Sequence, residues 1–177
     1  MNNTSKDIDE ILTNLKNGNQ SALKDLYDSL HRQVYFLSLS ILRNQADAED
    51  AVQNTFLAIN ESIYSYKDSS SGKSWVLMIA RNKALDIYRR NSRIVKLELN
   101  ALASFEEGHE EEYSDIFEKI LLELNTKERQ IVFLHLMLDI THKEISKIIK
   151  MPQGSVRRNY ANAINKLKTI YKDKEIL

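Results

Sequence analysis

Residues 141–162 read THKEISKIIKMPQGSVRRNYAN. Thr141 with Glu144 three positions on is a capping box. The threonine hydroxyl accepts from the Glu144 amide, and the glutamate reaches back to the Thr141 amide. The helix so started is short and ends near Ile149. Lys150-Met151-Pro152 then makes a turn, and a longer helix runs from Gln153 to about Lys172, with proline placed where its missing N–H costs nothing. Ile145, Ile148, Ile149 and Val156 are expected to form a small core. Val156, Tyr160, Ala163 and Leu167 point inward by helical spacing, and Gly154 is expected where the two helices approach. A short capped helix, a tight turn and a longer helix that is basic at its start have the form of a helix-turn-helix. Ser155, Arg157, Arg158, Asn159 and Asn162 are left to face a groove. The same spacing also fits a plain helical hairpin with a solvated basic face, so both readings stand at this point.

Working back from this motif, apolar residues recur at helical steps in two further stripes. One holds Ile116, Phe117, Ile120, Leu121 and Leu124; the other holds Ile131, Val132, Leu134, His135 and Leu138. Ahead of them residues 98–112, ELNALASFEEGHEEE, are acidic and weakly patterned, which suits either a solvated spacer or a docking segment. Four helical patterns precede it. The first has Ile8, Ile11, Leu12 and Leu15 and ends near Asn17-Gly18. The second carries Leu23, Leu26, Tyr27, Leu30, Val34, Leu37, Ile41 and Leu42. The third, capped by Asn44, has Asp47, Glu49 and Asp50 near its positive end and buries Val52, Phe56 and Ile59. The loop from Tyr66 to Lys73 interrupts the pattern. The fourth runs from about Ser74 to Arg93, with Trp75, Met78, Ile79, Leu85 and Tyr88 expected inside.

One proline and four glycines in 177 residues leave few breakers, and no long period-two run is present, so an all-α chain is expected. Its expected division is a first domain at 1–95, a flexible acidic linker at 96–112 and a helix-turn-helix domain at 113–177. Cysteine is absent, which excludes disulfides and Cys-ligated zinc. No signal-peptide core or apolar span is evident, so a cytoplasmic chain that is not itself a membrane protein is expected.

The formal net charge is zero, yet charge is segregated. Arg81, Lys83, Arg89, Arg90, Arg93 and Lys96 face Asp86 alone in one block. Lys143, Lys147, Lys150, Arg157, Arg158, Lys166, Lys168, Lys172 and Lys174 face only Glu144 and Asp173 in another. The intervening residues 98–128 are acidic apart from Lys119 and Lys127. Two cationic surfaces are implied. In the first block, WVLMIARNKALDIYRR at 75–90 mixes rings with cations, as a site for unpaired nucleic acid would. A buried Trp75 and Tyr88 with solvated arginines is the structural alternative.

The chain resembles the sigma-factor family of bacterial RNA polymerase, in its small extracytoplasmic-function type, over roughly residues 19–172. The resemblance rests on Leu26-Tyr27, Val34-Tyr35, the run Asp47 to Phe56, Trp75 to Arg90, Leu124 to Arg129, Glu144-Ile145 and Pro152 to Val156. It implies that Asp47, Glu49, Asp50, Gln53 and Asn54 supply polar contacts to the clamp helices of the largest polymerase subunit. The loop at 66–73 then opens the −10 promoter element and captures a base. Lys67, Ser71, Lys73, Trp75, Asn82 and Asp86 would line that site, and Arg81, Lys83, Arg89 and Arg90 would hold phosphates. Thr141, Lys143, Gln153, Ser155, Arg157, Arg158, Asn159 and Asn162 would serve the −35 element. The resemblance further implies that the second domain grips the flap of the second-largest subunit, that the linker threads the RNA channel, and that an anti-sigma factor is a candidate partner.

This sequence departs from the family pattern in places. Lys150 stands where a turn glycine is common, implying a different turn conformation. Asn159 and Asn162 replace frequent arginines, lowering phosphate affinity, and Ser146 replaces a usual alanine. The additional domains of housekeeping sigma factors have no counterpart, so −10 contacts are expected from the first domain alone.

No catalytic residue, metal, cofactor or small-molecule substrate is expected. His31, His109, His135 and His142 lack metal-ligand spacing and read as surface or satisfied histidines, and no Gly-rich phosphate loop is present. The alternative function is a helix-turn-helix regulator whose first domain makes protein contacts only.

Overall fold

A computed structural model describes residues 3–67, 71–95 and 122–171, with side chains over 8–67, 71–92 and 122–169. The expected linker, the stripe from Ile116 to Leu121, His109 and the centre of the 66–73 loop lie outside the described residues. Among the described residues the regular structure is all helical, and the chain divides into two compact units, 1–102 and 103–177.

Unit 1 consists of α1 (Asn3–Lys16), α2 (Ser21–Leu42), α3 (Gln45–Ser62), a 3-10 turn at Ile63–Ser65, and α4 (Gly72–Val95). Helix α2 contacts α1, α3 and α4, and so forms the centre of the unit. Its buried stripe includes Leu26, Leu30, Val34, Leu37 and Ile41. Burial continues into positions held by Ser38, Ser40 and Thr55, whose hydroxyls donate to the carbonyls of Val34, Leu37 and Ala51 at 2.8, 2.6 and 2.6 Å. These short bonds to their own helices satisfy polar groups that would otherwise oppose burial. Helix α1 buries Ile8, Leu12 and Leu15. Asn44 caps α3 by accepting from the Asp47 amide at 2.9 Å, as expected.

The inward face of α4 differs from the expectation. Val76, Leu77, Ala80, Ala84 and Ile87 are buried, whereas Trp75, Met78, Ile79 and Leu85 are half-buried and Tyr88 is 47% exposed. Ala84 and Ile87 close a cluster with Ile41 and Ala51. Alanines at 51, 80 and 84 let backbones approach closely, so small residues take the interior and bulky ones move to the flanks. Tyr27 also turns outward, 43% exposed, with its ring at 4.9 Å from Phe56 and stacked at 5.0 Å on His31.

Unit 2 holds α5 (Thr126–Val132), a π-helical continuation at Phe133–Met137, α6 (His142–Ile148) and α7 (Gln153–Tyr171). Two capping boxes start its helices. Thr141 and Glu144 form the expected one; Asn125 and Glu128 form another, in which Asn125 Oδ1 accepts from Lys127 and Glu128 amides at 3.0 and 3.1 Å. Glu128 is 4% exposed, and its second oxygen accepts from Lys166 of α7 at 2.7 Å. Leu124, Val132 and Ala163 pack with Tyr160 and Leu167, while Ile145, Ile148, Ile149 and Val156 are buried as expected.

Two expectations about the turn are corrected. Gly154 does not sit at a helix approach: it is exposed, and a Cβ there would meet open space. Lys150 does not give the turn another conformation. Its φ of 53° lies in the left-handed region that glycine favours, and the Met151 amide bonds Ser146 O at 3.0 Å, closing a Schellman end. Gly18, φ 92°, ends α1 with the same bond pattern, Asn19 amide to Asn14 O at 3.1 Å. The helix end dictates the backbone, and the lysine accepts the strain.

His142 departs from the sequence reading, whereas His31 and His135 are satisfied by the Tyr27 and Ile140 carbonyls. His135 and His142 stack at 4.2 Å, with Tyr160 edge-on at 4.7 and 5.1 Å. His135 Nδ1 lies 2.9 Å from the Ile140 carbonyl, but the buried Nε2 of His142 has no hydrogen-bond partner among the described residues. Packing against groups distant in sequence strands that nitrogen. Burial foremost, then His135 and Arg157, hold the His142 imidazole below its ordinary range.

Lys150→Gly is expected to stabilise unit 2 by about 1 kcal/mol, read from urea unfolding followed by circular dichroism. Because the fold disfavours the charged His142, the unfolded chain takes up that proton first. The stabilisation is therefore present above about pH 6.5 and declines as pH falls below it. His142→Gln should flatten the slope of melting temperature against pH over this range; an unaltered slope would refute the assignment.

Candidate nucleic-acid interface

The first candidate surface is carried by α4 and the residues before it. Ser71 starts the helix: its side-chain oxygen accepts from the Ser74 amide at 3.3 Å, and its carbonyl accepts from the Trp75 amide at 3.0 Å. The helix thus begins at Gly72, two residues ahead of the expected Ser74. Gly72 is buried, and a Cβ on it would lie 2.5 Å from Asp9 Oδ1 and 2.6 Å from Leu12 Cδ1. The same Asp9 oxygen accepts from the Gly72 amide and, at 3.0 Å, from the Tyr66 hydroxyl. Lys16 Nζ donates to the Tyr66 carbonyl at 2.9 Å. Tyr66 is itself buried, with its ring 5.3 Å from that of Trp75. Asp9 and Lys16 were not singled out from the sequence, and Tyr66 was expected only as the first residue of the loop. Asp9 is one acid among polar residues on an amphipathic helix, and nothing local marks its partners.

Among the expected −10 residues, Lys67 is exposed, while Ser71, Lys73, Trp75, Arg81, Asn82 and Lys83 are half-buried. Arg89 and Arg90 are exposed. Asp86 is exposed too and pairs with Arg89 at 3.2 Å, a contact that contributes little in solvent. Burial and the nearby Arg89 push the Arg81 guanidinium down from its ordinary value. Arg81 remains cationic at neutral pH.

Helix α3 presents Glu49, Asp50, Gln53 and Asn54 to solvent. Asp47 is different: it is half-buried and accepts from Asn91 Nδ2 of α4 at 2.8 Å, tying the start of α3 to the far part of α4. Leu57, 63% exposed, continues the stripe from Gln53 by one helical turn; sequence reasoning passed over it because an apolar residue there reads as core.

In unit 2, Arg157, Arg158 and Asn162 are exposed on α7, with Val156 and Ala163 buried behind them. Gln153 and Ser155 are half-buried. Asn159 is not free to face a groove as expected: its Nδ2 donates to the Ser155 carbonyl at 2.7 Å and approaches Met151 Sδ at 3.8 Å. Its short side chain reaches its own helix before it reaches solvent. Thr141 and Lys143 are exposed at the start of α6, with the Thr141 hydroxyl engaged by Glu144 Oε2 at 2.7 Å. Among the described residues no group of three or more His, Cys, Asp or Glu is placed to hold a metal ion.

Two family models match the chain: Sigma-70 region 2 over residues 26–94 and Sigma-70 region 4 over residues 114–167. The ECF RNA polymerase sigma factor SigM of Bacillus subtilis is 25% identical over 155 residues, covering 84% of this chain and 94% of that protein. The RNA polymerase sigma factor SigV of the same organism is 28% identical over 149 residues, covering 83% and 89%. In fold, the chain is similar to the sigma factor RpoE of Bartonella quintana, solved with the anti-sigma factor NepR. The TM-score is 0.76 at 19% identity, over 86% of this chain and 98% of that one. Two sigma-70 regions in order along one helical chain, with extracytoplasmic-function sigma factors as relatives, place it: the chain belongs to the extracytoplasmic-function group of the sigma-70 family and is an alternative sigma factor directing transcription initiation.

Proposed function

We propose that this chain binds core RNA polymerase and directs it to promoters by holding the −10 element with unit 1 and the −35 element with unit 2. The observation that carries this reading is the presence of both sigma-70 regions in one chain, at 26–94 and 114–167. A regulator that needed only a duplex-binding helix would be served by the second alone.

On this reading the exposed side of α3, with Glu49, Asp50, Gln53 and Asn54, docks on the clamp helices of the largest polymerase subunit. Asp47 supports it through Asn91. Unit 2 also grips the flap of the second-largest subunit. Lys67, Ser71, Lys73, Trp75, Asn82 and Asp86 serve −10 opening and base capture, with Arg81, Lys83, Arg89 and Arg90 on phosphates. Helix α7 enters the major groove through Arg157, Arg158 and Asn162, assisted by Gln153 and Ser155; Thr141 and Lys143 approach the backbone. The functional domains within the two units are assigned to residues 1–95 and 113–177, with 96–112 as the linker. The polymerase sets their separation, so the second DNA contact is effectively intramolecular. Zero net charge limits non-specific attraction to duplex DNA. Melting follows from trapping exposed bases, with no bond chemistry and no catalytic residue in this chain. The protein works in the cytoplasm, consistent with described helices that are too short or too polar to cross a membrane. An anti-sigma factor is its proposed inhibitor, as the complex of RpoE with NepR suggests by likeness of fold.

Arg157→Ala and Arg158→Ala separate two kinds of contact in promoter-binding assays with reconstituted holoenzyme. Loss of a base-edge contact should cost ~1–3 kcal/mol and relax preference at one −35 position. Loss of a phosphate contact should weaken all sequences alike and reduce the salt slope by about one. Wild-type binding by both variants would exclude α7 as the reading helix. Asp50→Lys should weaken association with core polymerase about tenfold in competition binding while the melting temperature is held, since the site is exposed. Undiminished association would remove α3 from the docking surface.

A further inference from the structure

We propose that Asp9 is a positioning residue for −10 recognition: from α1, it fastens both ends of the stretch between Tyr66 and Gly72. The inference rests on the base-capture reading of that stretch. One carboxylate oxygen accepts from the Gly72 amide, the first donor of α4, and from the Tyr66 hydroxyl at 3.0 Å. Lys16 adds a second tie to Tyr66 through its carbonyl at 2.9 Å. A carboxylate at the positive end of a helix makes charge-assisted bonds, which are stronger than neutral ones.

The approach is enforced rather than incidental. Ile8 and Leu12, on either side of Asp9, are fully buried, so α1 has no freedom to withdraw. Gly72 carries no Cβ at the one place where α1 would collide with it. A simple helix cap requires only the Gly72 bond. The additional ties to Tyr66 hold the other end of the stretch, and Tyr66 in turn packs on Trp75. Tyr66 and Gly72 border the stretch assigned to base capture, so α1 contributes to recognition by fixing its flanks, without touching DNA.

The test uses the full chain with core polymerase at saturation, on a promoter selected by in-vitro transcription of genomic fragments. Transcription is compared on this promoter, on a copy with substituted −10 base pairs, and on a copy whose −10 region is already unpaired. Asp9→Ala should reduce the ratio of intact to substituted −10 output roughly tenfold, as loss of charged hydrogen bonds would, and leave the pre-opened template largely unaffected. Asp9→Asn, which keeps an acceptor oxygen, should restore most of the ratio, and Tyr66→Phe should fall between. Should Asp9→Ala fail to fold, the Asn and Phe variants decide the matter. Replacing residues 67–71 with a Gly-Ser stretch of equal length is the control. If that control loses discrimination while the Asp9 and Tyr66 variants keep it, positioning by Asp9 is wrong. If the control also keeps it, the base-capture reading is what fails. Lower melting temperatures with an unchanged ratio would reduce Asp9 to a stabilising cap and overturn the proposal.

Discussion

A narrow stripe of α4, Val76, Leu77, Ala80, Ala84 and Ile87, is the part of unit 1 on which its surfaces depend. A helix has one face to bury, and here alanines allow α4 to settle close to α2 and α3. Rotating the helix to bury Trp75 and Tyr88 instead would insert bulk where the backbones now approach and move Ala80 and Ala84 toward solvent. Overpacking of this kind typically costs ~1–3 kcal/mol before any loss of apolar burial is counted. The chosen register leaves Trp75, Arg81, Asn82 and Lys83 at the flanks and Tyr88, Arg89 and Arg90 outside. The chemistry available to a nucleic acid follows from where small residues fall.

In each unit, most described helix ends are secured by side chains and by non-glycine residues at positive φ, with Gly18 after α1 and Pro152 before α7 as the glycine and proline used. Asn44, Ser71, Asn125 and Thr141 satisfy amides at helix starts. Arg43, Asp139 and Lys150 adopt positive φ, though none is glycine. Each such residue is tolerated because hydrogen bonds around it over-determine the turn, as the Met151 to Ser146 bond does after α6. At the helix-turn-helix, α7 follows this turn directly, with Arg157, Arg158 and Asn162 exposed on it.

Electrostatically, the molecule works by segregation. Zero net charge is the sum of two basic blocks and the acidic residues between and beside them. Zero net charge gives the chain none of the long-range pull of a strongly cationic protein. Acids are also used internally. Asp9 and Asp47 serve as anchors between helices, and Glu128 sits buried with Lys166, which removes carboxylates from the surfaces where anionic DNA would be repelled.

The sequence alone determined whatever depends on local spacing. Its helices, the Asn44 and Thr141 caps, the turn before Pro152, the core of Ile145, Ile148, Ile149 and Val156, and the segregated charge were all legible. These arise from periods of three and four residues and from bonds within one turn. Tertiary structure decided which side of α4 is buried, that Asp9 holds Tyr66 and Gly72, that His142 stacks on His135 with a stranded nitrogen, and that Gly154 is open while Lys150 carries the left-handed turn. Those outcomes depend on groups up to 63 positions apart meeting in space, as Gly72 meets Asp9. No local pattern encodes such a meeting, because it is set by how closely whole helices can pack.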